Sequence, residues 1–119
     1  MKNSISHIKD SLRDKKISVE ELYDEFLTKA KSSKANSFNL LLEKKHNILS
    51  INESQKRYEN GNPLPLDGIP LGIKDLFCTK GIRTTASSKI LSNFTPNYES
   101  FVTQKLLDDG SIFIGKNNC

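Results

Sequence analysis

The segment of this chain that says most about its fold is Leu66-Asp67-Gly68-Ile69-Pro70-Leu71-Gly72-Ile73-Lys74-Asp75. Its apolar residues at positions 69, 71 and 73 alternate with other residue types, which is the period of a strand with one buried face. Pro70 lacks an amide proton, so the strand is expected to begin late or to lie at a sheet edge. The alternation places Lys74 at the end of the strand, on the face opposite the apolar residues.

The residues that follow predict a helix over 98–109 and then a buried strand at Ser111-Ile112-Phe113-Ile114. Gly110 between them is the residue type that ends a helix. A strand, a helix and a second strand in this order favour a parallel pair joined by a right-handed crossover. The apolar stripe of the helix consists of Tyr98, Phe101, Val102, the Lys105 stem and Leu106.

Residues 1–60 predict mainly helices. The strongest periodicity indicates a helix over 18–32, and Ser18 and Glu21 have the spacing of a capping box at its start. A short strand is expected at 37–42 and a weaker helix at 43–59. The residues expected on the buried faces of the first and third helices are Ile5, Ile8, Leu12, Ile48, Ile51 and Tyr58.

These elements predict an α/β fold in which N-terminal helices precede a mixed or parallel sheet covered by helices. We divide it into a mainly helical part, 1–60, and a strand-loop-helix-strand part, 61–119. A parallel strand needs cover on both faces, and no helix follows the last predicted strand. We therefore expect an incomplete domain, the alternative being a small complete α/β domain that ends on an edge strand.

The composition excludes several classes of protein. The 119 residues include 35% hydrophobic and 27% charged residues, and no apolar run approaches the ~18 residues of a membrane span. The first residues lack the apolar core of a secretory signal, so we expect a cytoplasmic protein with no membrane partner. The net charge of +4 comes from basic residues interleaved with acids, not from a nucleic-acid stripe. Cys78 and Cys119 give no disulfide framework.

Lys74 is the strongest candidate for chemistry. Enzymes with α/β folds place functional groups at the ends of parallel strands, and Gly72 on the same face leaves room for a backbone or a substrate. A lysine buried there without a carboxylate has a lowered pKa, and its neutral amine can act as a general base. The alternative is an ammonium that extends to water or pairs with Asp75.

Other candidates are weaker. Residues 110–117 nearly match a phosphate-binding P-loop, but Asn117 replaces the final Ser or Thr, and a strand-like run replaces the required turn. Ser87 and Ser88 lie in a polar loop that, with Arg83, is a candidate pocket lining. A nucleophile also needs a base and an oxyanion site, so a surface turn is the simpler interpretation.

The two histidines and the internal cysteine have simple structural interpretations. His7 and His46 have no partner at metal-ligand spacing, so solvated or capping side chains are expected. Cys78 is most simply a small buried apolar residue. The sequence therefore predicts no metal site.

Residues 66–75 resemble the segment that carries the catalytic lysine in the amidase signature family. The resemblance continues through residues 79–88, Leu91, Phe94, Tyr98, Val102 and Gly115-Lys116-Asn117-Asn118, and includes the opening helices from Ile17 to Leu27. Within the family, the chain most resembles the amidase subunits of glutamyl-tRNA(Gln) amidotransferases. The resemblance covers essentially the whole chain but only the opening part of the family's domain.

The resemblance implies the amidase signature fold and a Ser–cis-Ser–Lys mechanism with Lys74 as the base. One serine attacks the amide carbonyl of glutamine, and a second serine relays its proton to the neutral amine. The released ammonia passes to a partner subunit of a heterotrimer, which uses ATP and magnesium to amidate Glu-tRNA(Gln). The tRNA contacts that partner subunit, and this chain needs no metal or organic cofactor.

The chain departs from the family pattern at its last residues. Asn117 stands where Thr is common, Cys119 stands where Met is common, and the family places both serines beyond residue 119. We therefore expect an N-terminal part of an amidase domain that is inactive by itself. Two alternatives stay open: a general amidase acting on a small amide, and a non-enzymatic interaction module built on the amphipathic helices.

Overall fold

The computed structural model describes residues 4–32, 37–86, 89–91 and 94–117. In chain order its elements are α1 (Ile5–Arg13), α2 (Val19–Ser32), β1 (Phe38–Leu41), α3 (Lys44–Glu59), β2 (Pro70–Lys74), a 3-10 turn (Lys89–Leu91), α4 (Phe101–Asp108) and β3 (Ile112–Asn117). None of the helices in these ranges is both long and apolar enough to cross a membrane.

The three strands form one mixed sheet in the order β1–β3–β2. β2 runs parallel to β3, with α4 in the connection between them, and β1 runs antiparallel to β3. Pro70 is the first residue of β2, and β2 is an edge strand of the described sheet, as its missing amide proton predicted. The predicted α/β class, with helices before a mixed sheet, is confirmed.

The helix predicted over 18–32 is present as α2, and it supplies more residues to the buried core than any other described element. The amide of Glu21 donates to Ser18 Oγ and the amide of Ser18 donates to Glu21 Oε1, both at 3.1 Å, so the capping box is present. Its apolar face packs with residues of α1, α3 and the sheet. The buried core comprises Ile8, Leu12, Val19, Leu22, Tyr23, Leu27, Ile51, Tyr58, Ile69, Ile112 and Ile114.

The structure differs from the sequence prediction at α4. The helix begins at Phe101, because Ser100 Oγ accepts the amide of Thr103 and caps it there. Tyr98 therefore precedes the helix. The apolar stripe faces outward, with Phe101 76% and Val102 51% exposed, because helical periodicity identifies a stripe but does not say which element covers it.

The last strand is longer than predicted, and one apolar position of α1 is exposed. β3 continues to Asn117, three residues beyond the apolar run that ends at Ile114. The ladder with β2 extends through these residues, with Lys74 opposite Asn117. In α1, Ile8 and Leu12 are buried as expected, but Ile5 is exposed.

Asp67 fixes the turn that leads into β2. Its carboxylate is 0% exposed and accepts hydrogen bonds from Arg57 Nε at 2.5 Å, Arg57 Nη2 at 2.7 Å and the amide of Leu64 at 3.0 Å. Its carbonyl oxygen accepts from Tyr58 Oη at 2.6 Å. Burial and the Asp67 charge raise the pKa of Tyr58 to about 12, so this phenol remains a donor at neutral pH. The turn is thereby attached to α3.

Gly110 lets the end of α4 approach the same turn. Its carbonyl oxygen accepts the amide of Gly68 at 3.0 Å. Its φ is +92°, and a Cβ there would lie 2.7 Å from Asp67 Oδ1 and 2.9 Å from Asp67 Cα. Both the backbone conformation and the close approach therefore require glycine.

We expect Asp67→Ala to lower the free energy of unfolding by about 2–3 kcal/mol, because a guanidinium and an amide lose a charged acceptor. Asp10→Ala is the matched control, since it breaks an Asp–Arg pair with Arg13 that is exposed on α1. That change should cost less than about 1 kcal/mol. Urea denaturation followed by circular dichroism measures both, and equal losses would contradict the anchoring role of Asp67.

We expect Gly110→Ala to destabilise the chain more than Gly81→Ala. Both glycines have positive φ, but a Cβ at Gly81 meets nothing within 4 Å, so that variant isolates the backbone strain of ~1–2 kcal/mol. Gly110→Ala adds overlap with Asp67 and should cost at least about 1 kcal/mol more. Urea denaturation of both variants measures the difference. Equal denaturation midpoints for Gly110→Ala and Gly81→Ala would contradict the prediction, because they would show that the turn at Asp67 moves away from an added Cβ at no cost.

Candidate active site

Lys74 ends β2 and its side chain is exposed. Its neighbours Ile73 and Asp75 are buried, so Lys74 lies on the face opposite the apolar residues, as the alternation predicted. Among the described residues, the Lys74 ammonium has no hydrogen bond or ion pair. The burial of this amine that was considered from the sequence is therefore not provided by the described residues.

The face that carries Lys74 also holds Gly72 and the side chain of Asn117. A Cβ at Gly72 would overlap the Asn117 carboxamide, so the room predicted above this glycine is filled by a side chain of β3. Asn117 Oδ1 is buried and has no hydrogen-bond partner within the described ranges. It is an acceptor on the Lys74 face of the sheet.

The opposite face holds a buried cation that sequence reasoning did not single out. Lys116 is 1% exposed, and its Nζ donates to the carbonyl oxygen of Phe77 at 2.8 Å and to Thr79 Oγ1 and Thr84 Oγ1, each at 2.9 Å. The same Nζ lies 3.7 Å from Asp75 Oδ1. The only sequence signal for this cluster is a lysine two residues after the apolar run that ends at Ile114, with a threonine-rich loop upstream.

Asp75 completes this cluster and is also 1% exposed. Its carboxylate accepts from Asn39 Nδ2 at 2.7 Å, from the amide of Thr85 at 3.2 Å and from the Thr85 hydroxyl. Its own amide donates to the carbonyl oxygen of Asn117 at 3.0 Å. The Asp75 side chain is therefore used on the buried face, and the Lys74–Asp75 ion pair considered from the sequence is not among the ion pairs of the described residues.

The electrostatics of the pair follow from burial and hydrogen bonding. Burial raises the pKa of Asp75, but the hydrogen bonds from Thr85 and Asn39 and the Lys116 charge outweigh it, so the pKa lies below its ordinary value. Burial lowers the pKa of Lys116, and the nearby Asp75 carboxylate only partly opposes this. Asp75 is accordingly ionised at neutral pH.

The polar loop after β2 packs around this pair and does not form an open pocket lining. Thr79, Thr84 and Thr85 are buried and hydrogen-bond the two charged groups. Arg83 is exposed, and its Nη2 donates to the carbonyl oxygen of Asn39 at 3.2 Å. Ser87 and Ser88, the weaker nucleophile candidates, lie outside the described residues.

Two further interpretations can be compared with the structure. Cys78 is half-buried and its Sγ lies 3.2 Å from the hydroxyl of Tyr98, so the expectation of a small buried apolar residue is wrong. Residues 112–117 form a strand within the sheet, which confirms the rejection of a P-loop. Asn118 and Cys119 lie outside the described residues.

The arrangement has one chemical consequence. Two lysines stand at the ends of neighbouring parallel strands, Lys74 on β2 and Lys116 on β3. Lys116 uses its three protons in the loop, whereas Lys74 presents its amine on the open face beside the Asn117 carboxamide. Of these two lysines, Lys74 is therefore the one whose amine donates to no other group among the described residues.

Comparisons with known proteins bear on the family to which this chain belongs. The amidase family pattern matches residues 21–119. The chain is 44% identical to the A subunit of the glutamyl-tRNA(Gln) amidotransferase of Beijerinckia indica over 97% of its length, and 42% identical to that of Ehrlichia chaffeensis over 99%. It is also 42% identical to the mitochondrial counterpart from Dictyostelium discoideum over 97%. The matched part is 23%, 24% and 22% of these proteins, respectively, so the chain spans about a quarter of their length.

Solved structures show the same fold. Native peptide amidase from Stenotrophomonas maltophilia superposes with a TM-score of 0.87 at 20% identity, over 98% of this chain and 24% of that one. An amidase at 26% identity gives a TM-score of 0.83 over 97% of this chain and 26% of its own. Since the family pattern covers most of the sequence and relatives above 40% identity span nearly all of it, this chain belongs to the amidase family of amidase signature enzymes.

Proposed function

We propose that Lys74 is the base of an amide-hydrolysing centre and that the chain serves a glutamyl-tRNA(Gln) amidotransferase as part of its glutaminase subunit. The observation that carries the proposal is the position of Lys74. It ends a strand with its amine on the open face, while the adjacent carboxylate of Asp75 is bound on the other face. The names and identities of the relatives support the choice of substrate.

The proposed reaction assigns one step to this chain. A serine hydroxyl attacks the side-chain amide carbon of glutamine, and its proton moves through a second, cis-peptide serine to the neutral amine of Lys74. The tetrahedral intermediate then releases ammonia, which takes up a proton returned from the lysine, and water hydrolyses the remaining acyl-serine. Both serines are assigned to the part of the family's domain that these 119 residues do not span, so we expect the 119 residues alone to be inactive.

The ammonia released in this reaction is used by a partner subunit. Ammonia passes to a partner subunit in a heterotrimer, and that partner uses ATP and magnesium to convert Glu-tRNA(Gln) to Gln-tRNA(Gln). The tRNA binds the partner, this chain holds no cofactor of its own, and the complex works in the cytoplasm. The relatives are named as subunits, which supports assembly into such a complex.

A general amidase acting on a small amide is the second candidate. The likeness to an amidase at 26% identity favours it, and Lys74 would play the same part there. The two functions differ in their substrate and in the need for a partner subunit. Ammonia release from glutamine, compared with release from a small aliphatic amide, therefore separates them.

We test Lys74→Met in a chimera that carries this chain in place of the matching quarter of the Beijerinckia indica relative and is expressed with that protein's partner subunits. We expect the variant to release ammonia far more slowly than the parent chimera. Loss of the base should lower kcat by about 10²–10⁴-fold with little change in KM. Lys80→Met, an exposed lysine in the following loop, is the matched control and should keep its activity.

Two results would contradict the proposal. A folded Lys74→Met chimera with unaltered kcat would exclude Lys74 as the base. Glutamine turnover by the 119-residue chain alone, above a heat-denatured sample, would exclude the claim that it is inactive by itself. A chimera that hydrolyses only the small amide would favour the second candidate.

A further inference from the structure

We propose that Lys116 is a positioning residue for Lys74: it binds Asp75 and the following loop from the buried face of the sheet, and so leaves Lys74 as an unpaired amine on the open face. This inference rests on the proposed function of Lys74. It assigns a role to a residue of the neighbouring strand that does not itself touch the reacting atoms.

The contacts of Lys116 show why it determines the course of the chain after Lys74. An ammonium has three protons to donate, and here all three find acceptors in one loop, on Phe77, Thr79 and Thr84. The Asp75 carboxylate lies beside the same nitrogen at 3.7 Å. Residues 75–84 are thereby attached to β3, and the end of β2 is fixed in the direction that presents Lys74 outward.

A purely structural explanation of this pair is weak. Burial of two charges costs several kcal/mol per ion, and apolar side chains of similar volume often stabilise a protein as well or better. The Lys116–Asp75 pair instead affects the protonation of Lys74, which precedes Asp75 in the sequence. A carboxylate near a lysine favours the charged amine, and the base proposed here must lose its proton.

The titratable groups around the pair come from several segments. The carboxylates of Asp75, after β2, and of Glu99, before α4, face Lys116, as does the Cys78 thiol. Arg83 of the loop contacts Asn39, which in turn binds Asp75. On the Lys74 face, β3 contributes the neutral Asn117. Asp75 is thus the acid next to Lys74, and Lys116 is the cation that compensates it.

The test is an NMR titration of the whole 119-residue chain labelled with ¹³C at lysine Cε. The Lys74 signal is assigned by its loss in Lys74→Arg. In Lys116→Met the Asp75 carboxylate loses its cation, so the pH at the midpoint of the Lys74 titration should rise. In Asp75→Asn the Lys116 charge is uncompensated, so this midpoint should fall. The double variant should return close to the parent value.

Lys80→Met is the matched control, because it removes a lysine charge from the same loop without touching Asp75, and its Lys74 midpoint should stay at the parent value. An unchanged Lys74 midpoint in a folded Lys116→Met chain would overturn the proposal. The proposal would also be overturned if the Lys74 midpoint rose by the same amount in Lys116→Met and in the double variant. If Lys116→Met does not fold, Asp75→Asn decides, and a midpoint that does not fall overturns the proposal.

This measurement is independent of catalysis. If the Lys74→Met chimera stays active, the proposed function fails even where the titration shows the expected coupling. If Lys74→Met is inactive but the midpoints do not move, Lys74 remains the base and the role of Lys116 fails. In the active chimera, Lys116→Met should move the acid limb of the kcat/KM profile to higher pH, a shift that simple loss of structure would not produce.

Discussion

The buried ammonium of Lys116 is the constraint around which the end of the sheet is organised. Removing an ammonium from water costs several kcal/mol unless its donors are all satisfied, and here the acceptors come from one loop. That loop must therefore turn back over β3 directly after β2 ends. Its threonines face inward for the same reason, although a polar loop of this composition would ordinarily face solvent.

An ion pair with a buried carboxylate fixes each end of β2. Asp67 precedes the strand and Asp75 follows it, and both carboxylates are buried beside a cation, Arg57 in one case and Lys116 in the other. The two pairs differ in what they attach to the strand. Arg57 binds Asp67 through two nitrogens and connects the strand to α3, whereas Lys116 connects it to β3 and the loop. An edge strand of five residues thus gains its fixed position from charged anchors outside its ladder.

How far the sequence predicts this structure depends on the range of the interactions involved. The capping box of α2, the start of β2 at Pro70 and the face occupied by Lys74 follow from neighbours within a few residues, and all three were predictable. The partners of Lys116 lie more than thirty positions away in sequence, so periodicity carries no information about them. The outward stripe on α4 was unpredictable for a related reason, since a pattern of apolar residues does not identify what packs against it.

The candidate site shows the same division between local and long-range causes. Period-2 alternation places Gly72 and Lys74 on one face, but the Asn117 carboxamide that covers Gly72 arrives from the neighbouring strand. A buried carbonyl oxygen without a donor costs about 1–3 kcal/mol, and Asn117 Oδ1 has no donor among the described residues. Local alternation therefore predicts the face on which Lys74 lies, but not the Asn117 side chain that packs over Gly72 on that face, because this contact depends on the register between β2 and β3.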